Sequence, residues 1–459
     1  MIDCHKHLTS SPSEHNIYQN AVRSELARGQ LEGQCQLLSR STSYPRPIMV
    51  LLERSARLVF LLLLLAMLSG CVHRQFVTEP YPRWGEEIPI NQTNEANPLI
   101  LRVMLPANPD DAPACVLLVH GMNEYIGRYD EIARYFAQRF MVAGFDLHAH
   151  GLSNPILQQA DQALTGGAAQ QSVSDAYLAQ TQLYDLEPMR QDLDLALRHF
   201  IPLCDKQHQV GKPDKPIFLV SHSLGSLIAA SYLLATWQAP DPVTRIQGIV
   251  LLGPAFSVSE VPGWRGWLAN PFIKLSFHAE EHFLHPHPEP LPLLIVNQLV
   301  SFITVPLLDS LFEIFSWPGL RTLFTPVSPP WVVDYLTDSE AEKVRIRADG
   351  WIIRRTLLRY VKGIEAEVVR FRRRMGAFAL PYLLIYSGRD PITPAWGSED
   401  FAQATLQNHP DNALLPLPEL SHHEHLFSSQ PLRDELLKKI EQWLDKRLLS
   451  LDQPQAANR

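Results

Sequence analysis

Cysteine is scarce in this chain, five residues in 459, too few for a small disulfide-built scaffold. Cys4 and Cys35 lie near the start and Cys71 follows an apolar run. That leaves Cys115 and Cys204 in the body, and neither a disulfide framework nor a metal-ligand spacing can be read from two. Cys115, within ACVLLVHG, reads as core packing rather than chemistry. A membrane-spanning run is also lacking. The longest apolar stretch, LVFLLLLLAMLSG from Leu58 to Gly70, holds about 13 residues where a spanning helix needs about 20. Basic charge is in deficit, with 40 Lys and Arg against 48 Asp and Glu and a net charge of -8, so no positive field is available for a polyanion and nucleic acid is not an expected partner. What is present is ordinary globular composition, 46% hydrophobic and 19% charged, in a length that suits either two domains or one α/β domain with an insertion.

The short apolar run has the length of a signal-peptide hydrophobic region, with Arg54 and Arg57 before it and Cys71 directly after. Its end, Leu68-Ser69-Gly70-Cys71, resembles the lipobox of bacterial lipoproteins. That resemblance implies a diacylglyceryl group on Cys71, which would become the first residue of the mature protein. Val72 stands where an aspartate would imply inner-membrane retention, so the implied address is the cell envelope, on the periplasmic face of the outer membrane. About fifty polar, unpatterned residues precede the signal, and Met49 makes a better start for it. Residues 1–70 are therefore set aside as upstream extension and signal peptide.

Residues 71–95 are rich in Pro and polar groups, show no sustained period and read as a tether. Beyond them, short apolar runs alternate with longer amphipathic stretches, the signature of a mainly parallel sheet covered by helices. The predicted strands are PLILRVML, ACVLLVH, MVAGFDL, PIFLVS, GIVLLG, PYLLIYSG and NALLPLP, and RYDEIARYFAQRF, EPMRQDLDLALRHF, SLIAASYLLATW and RDELLKKIEQWLDKRLLS are the predicted helices. Residues 153–185 look like a long loop of low regularity. Residues 259–379, between GIVLLG and PYLLIYSG, exceed what a crossover needs and are dense in Leu, Ile, Val, Phe and Trp. They predict an apolar helical cap inserted before the next strand. The core is then residues 96–258 and 380–450, with a tail over 451–459.

The string FLVSHSLGSLIAA places Ser223 between an apolar strand and a helical run. A serine at such a sharp strand-to-helix turn is held in a strained conformation, its hydroxyl exposed above the sheet near a helix N-terminus. Gly225, Ser226, Ala229 and Ala230 supply the small neighbours this turn requires, while Ser221 stands where the GxSxG pattern has glycine. A serine nucleophile needs two backbone N–H groups for the oxyanion, one from the residue after it and one from an early strand-to-helix loop. Leu224 and Met122, the latter in HGMNEYIGRYD, fit those roles. An acid and a histidine should follow in that order. Asp390, in GRDPITP, lies just past a strand, and His422, His423 and His425 offer a base in LPELSHHEHLFSS. These histidines lack the cysteines or paired carboxylates of a metal site, and no metal is expected.

Five segments in order, HGMNEYIGRY, DLHAHGLS, SHSLGS, GRDPITP and HHEHLF, resemble the monoglyceride lipase, lysophospholipase and serine aminopeptidase-like branch of the α/β-hydrolases. The match brackets residues 98–447 apart from the insertions. It implies the α/β-hydrolase fold and a triad of Ser223, Asp390 and His423, the last because the histidine in that branch is often followed by Glu, with His422 as the alternative. Tyr125, Ala149, Ser221 and the long cap depart from the branch pattern. Glu124, Arg128 and Tyr129 are expected to organise the oxyanion loop, and Asp146, His148 and His150 to set a hydrogen-bonded turn.

The implied chemistry is acyl transfer through an acyl-enzyme, with no metal or organic cofactor. An apolar cap close to a membrane favours monoacyl lipids or other long-chain esters as substrate. A serine aminopeptidase, a thioesterase or an acyltransferase would share these motifs, and an inactive lipid-binding lipoprotein is the reading from a different class.

Overall fold

The computed structural model describes residues 74–90, 99–206, 214–236, 245–263 and 330–452, with scattered positions between 266 and 328. The chain divides into Met1–Ser69 and Gly70–Arg459, and every described residue belongs to the second unit. The signal segment, Met49, Cys71 and many residues between 264 and 329 of the predicted cap lie outside the described residues. Among the described residues no helix is long and apolar enough to cross a membrane.

The elements follow in chain order as strands β1 (Phe76–Val77), β2 (Glu86–Ile90), β3 (Leu99–Met104) and β4 (Cys115–Val119), helix α1 (Asp130–Phe136), β5 (Met141–Phe145), α2 (Pro155–Thr165), β6 (Gln171–Ser172) and α3 (Glu187–Lys206). Then come β7 (Ile217–His222), α4 (Leu224–Thr236), β8 (Ile246–Leu252), α5 (Glu340–Ala348), α6 (Leu358–Arg374), β9 (Tyr382–Ser387), α7 (Ala395–Thr405), β10 (Ala413–Leu417) and α8 (Gln430–Asp452). Eight strands form one sheet in the order β10-β9-β8-β7-β4-β5-β3-β2. The pairs from β10 to β5 are parallel, and β3 runs antiparallel to both β5 and β2.

Strand composition follows from burial on both faces. β4 (CVLLV), β7 and β9 are buried at every position, as parallel strands covered by helices on both sides must be. Their side chains alternate between two cores: Cys115, Leu117 and Val119 face one, and Val116 and Leu118 the other. The first core takes in α3, α4, α6 and α7, and the second α1 and α8 through Phe136, Ile440 and Trp443. Each fully buried aliphatic side chain there contributes roughly 1.5–3 kcal/mol. All seven strands read from the sequence are in the sheet.

Four expectations change. Residues 74–90 are not tether: β2 pairs along β3, and Tyr81 and Trp84 are buried. The segment escapes a periodicity reading because its buried groups come at irregular spacing between prolines. Residues 153–185 contain α2, capped by Asn154, whose side chain accepts from the Ile156 and Leu157 N–H groups. Helix α6, inside the predicted cap, belongs to the core, since Phe371 stacks on Phe256 at 4.5 Å and packs on Phe401. Finally, Cys115 and Cys204 form a disulfide with Cα atoms 6.3 Å apart, both residues fully buried. It ties the first residue of β4 to the end of α3, a partnership across 89 residues that no local pattern signals.

Candidate active site

Ser223 occupies the tight connection between β7 and α4 with φ of 52°, one of four positive-φ residues other than glycine among those described. Such a conformation costs about 1–3 kcal/mol and persists only where the surroundings enforce it. Here the Ser223 N–H donates to Leu252 O at 2.8 Å, while the Ser226 and Ala255 N–H groups donate to Ser223 O at 3.0 and 3.1 Å. The helix that follows approaches the end of β4 so closely that a Cβ at Gly225 would lie 2.3 Å from His120 O and 2.7 Å from Val119 O. Ser221 replaces the pattern's glycine without leaving a polar orphan: its hydroxyl donates to Val250 O at 2.9 Å, and Ser226 Oγ donates to Ser221 O at 2.8 Å.

Asp390 follows β9 and His423 follows β10, so the parallel sheet delivers both to the edge where β7 presents Ser223. His423 Nδ1 lies 2.7 Å from Asp390 Oδ2, and both residues are buried. The carboxylate also accepts from Ile392 N–H at 2.7 Å and from Thr393 Oγ1 at 2.8 Å. Burial opposes a charge on His423, but the Asp390 carboxylate outweighs it and raises the imidazole above the ordinary histidine range. Burial likewise disfavours ionised Asp390, and His423 with the Thr393 and Ile392 donors holds it below the usual carboxylate range. With Nδ1 committed to Asp390, the free nitrogen is Nε2, which has no partner among the described residues. The His423 ring lies 4.8 Å from that of His222, the residue before Ser223.

The other two histidines of the loop are engaged elsewhere. His422 Nε2 meets Ser428 Oγ at 2.9 Å, and His425 Nε2 meets Ser387 Oγ at 3.0 Å. Burial pushes His425 down to about 3. The loop thus sends three imidazoles to three different partners, with His423 rather than His422 on Asp390. Among the described residues no group of His, Cys, Asp and Glu is arranged to hold a metal ion.

The loop after β4 carries Met122, and its geometry is fixed by Glu124. One Glu124 oxygen accepts from Gly121 N–H at 2.6 Å and Tyr129 OH at 3.0 Å and pairs with His222 Nδ1 at 2.8 Å. The other pairs with Arg128 at 2.8 Å, and Arg128 reaches on to Glu424 and Glu342. Burial would raise the Glu124 carboxyl, but His222 and Arg128 hold it well below the usual carboxylate range. A Cβ at Gly121 would lie 2.7 Å from Glu124 Oε1 and 3.0 Å from Ser223 Cβ, so the loop closes over the serine with no room for a side chain there. Leu224 opens α4, where the first N–H groups of a helix have no partner within it. The N–H groups of Met122 and Leu224 therefore sit on the two segments that border Ser223.

Asp146 does set a turn. It accepts from Tyr81 OH, from Ile126 N–H at 2.8 Å and from Leu152 N–H at 2.8 Å. His120 Nε2 accepts from Leu147 N–H at 2.9 Å, which leaves Nδ1 to donate to Gly121 O at 2.8 Å. Sequence pattern alone does not mark Thr393, His222 or a second brace on the loop. In that brace Asn123, at φ of 60°, donates to Thr356 Oγ1 at 2.7 Å and accepts from Gln180 Nε2 at 2.9 Å. Thr393 stood inside a motif already in view, whereas Gln180 and Thr356 belong to irregular segments with no pattern to mark them.

Residues 110–426 match the family described as serine aminopeptidase, S33. No curated protein matches the chain in sequence. Among solved structures, a soluble variant of monoglyceride lipase from Saccharomyces cerevisiae, in complex with a substrate analogue, is similar with a TM-score of 0.53 and 15% identity, over 80% of this chain and 99% of that one. A carboxyl esterase from Bacillus coagulans has a TM-score of 0.49 and 17% identity, over 80% of this chain and 100% of its own. A monoacylglycerol lipase from Paleococcus ferrophilus has a TM-score of 0.48 and 18% identity, over 76% of this chain and 99% of its own.

Proposed function

As the chain belongs to the serine aminopeptidase S33 family of α/β-hydrolases, we propose that this serine hydrolase is a membrane-anchored esterase that releases acyl groups from monoacyl lipids. The observation that carries the reading is the buried Asp390–His423 pair at 2.7 Å, with Nε2 of the imidazole unpartnered, beside a serine held at positive φ.

In this mechanism Ser223 Oγ attacks the ester carbonyl while His423 Nε2 takes the hydroxyl proton, and Asp390 stabilises the imidazolium. The Met122 and Leu224 N–H groups bind the oxyanion. His423 then gives its proton to the leaving alcohol, and water activated by the same imidazole releases the acid from the acyl-enzyme.

Two features support a lipid substrate at a membrane. Described cap positions carry large apolar side chains in contact with solvent, among them Trp267, Phe302, Leu307 and Trp317, which suits an amphiphilic surface. The Cys115–Cys204 disulfide fits an oxidising compartment such as the periplasm, in keeping with export and an outer-membrane anchor at Cys71. An aminopeptidase would need an unengaged carboxylate for the substrate ammonium. In DSEAE, Asp338 already binds Ser429 and Glu342 binds Arg128 and Arg345, while AEEHF lies outside the described residues.

The test is fluorophosphonate labelling of the mature protein together with hydrolysis of p-nitrophenyl esters of graded chain length, for wild type and Ser223→Ala. Labelling lost in the variant and rates rising toward long chains are expected. Labelling with a short-chain preference would move the substrate to small esters, and its absence from folded wild type would end the catalytic reading.

A further inference from the structure

The chain is fixed to the body almost as soon as it leaves the proposed anchor. Gln75 is buried, its side chain donating to Gly350 O at 2.7 Å and Ile352 O at 2.6 Å. Its N–H donates to Ser174 Oγ at 2.9 Å and its carbonyl accepts from Val173 N–H at 2.9 Å. Directly after it, β1 pairs with β6. Three residues separate Cys71 from Gln75, and that length of chain spans at most about 14 Å even when fully extended. A compact body of the size of Gly70–Arg459 has a radius of gyration of about 21 Å. Such a leash is too short for the body to turn its far side to the surface that holds it.

The point of attachment also lies beside the site. The peptide group joining Ile352 and Ile353 accepts from the Gln75 side chain through its oxygen, and through its N–H it donates to Asn123 O at 3.0 Å. Asn123 follows Met122 in the loop over Ser223. One planar peptide group therefore separates Gln75 from that loop. Phe76, next to Gln75, keeps 40% of its surface exposed.

From this juxtaposition we propose that the side of the body carrying Gln75, Phe76 and the Asn123 loop beside Ser223 is docked on the bilayer that holds the lipid anchor, and that the enzyme draws its monoacyl substrates from that same leaflet. The occupant of this face is the lipid surface itself. The inference rests on Cys71 being acylated. It goes beyond anchoring because a lipoprotein on a long leash would meet lipids of any nearby surface, whereas a short leash beside the site raises the local concentration of one leaflet only.

The experiment compares the mature lipoprotein, reconstituted in phosphatidylethanolamine and phosphatidylglycerol vesicles, with a form carrying a 30-residue Gly/Ser insert between His73 and Arg74, which adds roughly 30 Å of reach. A bimane label on Phe76→Cys is read against brominated acyl chains in both. Strong quenching with the native leash, and its severalfold loss with the insert, is the expected result. Hydrolysis of vesicle-embedded monoacylglycerol should fall severalfold with the insert while hydrolysis of soluble p-nitrophenyl butyrate is unchanged. Mass measurement of the N-terminal peptide reports acylation separately. Acylated Cys71 with no quenching, or with quenching that ignores the insert, overturns the docking alone. Unmodified Cys71 removes the anchor and the docking together.

Discussion

Arg128 and Glu424, 296 residues apart in sequence, meet side chain to side chain through contacts of 2.8 and 3.2 Å. This contact joins the loop that carries Met122 to the loop that carries His423. Because Arg128 also holds Glu124, and Glu124 holds Gly121 and His222, one buried guanidinium sets the spacing between two proposed parts of the machinery. Its 1% exposed side chain stays charged against the cost of burial because Glu424, Glu124 and Glu342 surround it.

Removing that charge should therefore cost both stability and rate. Arg128→Met leaves Glu124 and Glu424 buried without their cation, and breaking a buried pair in this way costs about 3–5 kcal/mol. Denaturant unfolding and kcat/KM on a p-nitrophenyl ester should both fall. Arg128→Lys should recover only part of each, because an ammonium cannot reproduce the fork that reaches three carboxylates. An Arg128→Met variant as stable as wild type would show that the network contributes nothing to the fold.

The Asp390–His423 pair makes a prediction about pH. His423 must be neutral to accept the serine proton, and Asp390 raises its pKa despite burial, so kcat/KM should fall as pH drops through a value above the ordinary histidine range. In Asp390→Asn the largest opposing charge is gone, and burial is countered only by the Glu424 and Glu124 carboxylates. The acid limb should then move to lower pH while the plateau rate drops by a factor on the order of 10⁴. An acid limb that stays in place would assign it to a different group.

The disulfide should act on stability and leave the chemistry largely alone. Cys115 and Cys204 close a loop across 89 residues, for which the chain-entropy account gives about 4.6 kcal/mol. The double variant Cys115→Ala with Cys204→Ala should melt well below wild type but keep its kcat on soluble esters. Since neither cysteine is exposed, reductant should open the bridge in native protein slowly and in denatured protein at once. Thermal unfolding with and without reductant, together with mass-shift alkylation, reads both effects.

What the sequence carries by itself is what short stretches of chain can determine. The seven apolar strands are legible because a strand buried on both faces must be apolar throughout, and Ser223 stands out because strand, tight turn and helix are consecutive. Asp390 and the histidine loop are legible for the same reason, each lying just past a strand whose parallel direction sends it to the same edge. The partnerships between distant segments are a different matter. His423 rather than His422 meets Asp390 because the turn after β10 aims one ring and not its neighbour. Cys115 finds Cys204 because α3 packs its last turn against the start of β4. Gln75 and β2 join the body although their segment shows no period, since their partners, Gly350, Ile352 and the strand β3, are supplied from elsewhere in the chain. Local pattern fixes which elements form and where reactive side chains leave them. Which distant groups meet, and so where the proposed anchor lies relative to the site, was decided only when those elements packed, because burial selects among contacts that the sequence leaves equally open.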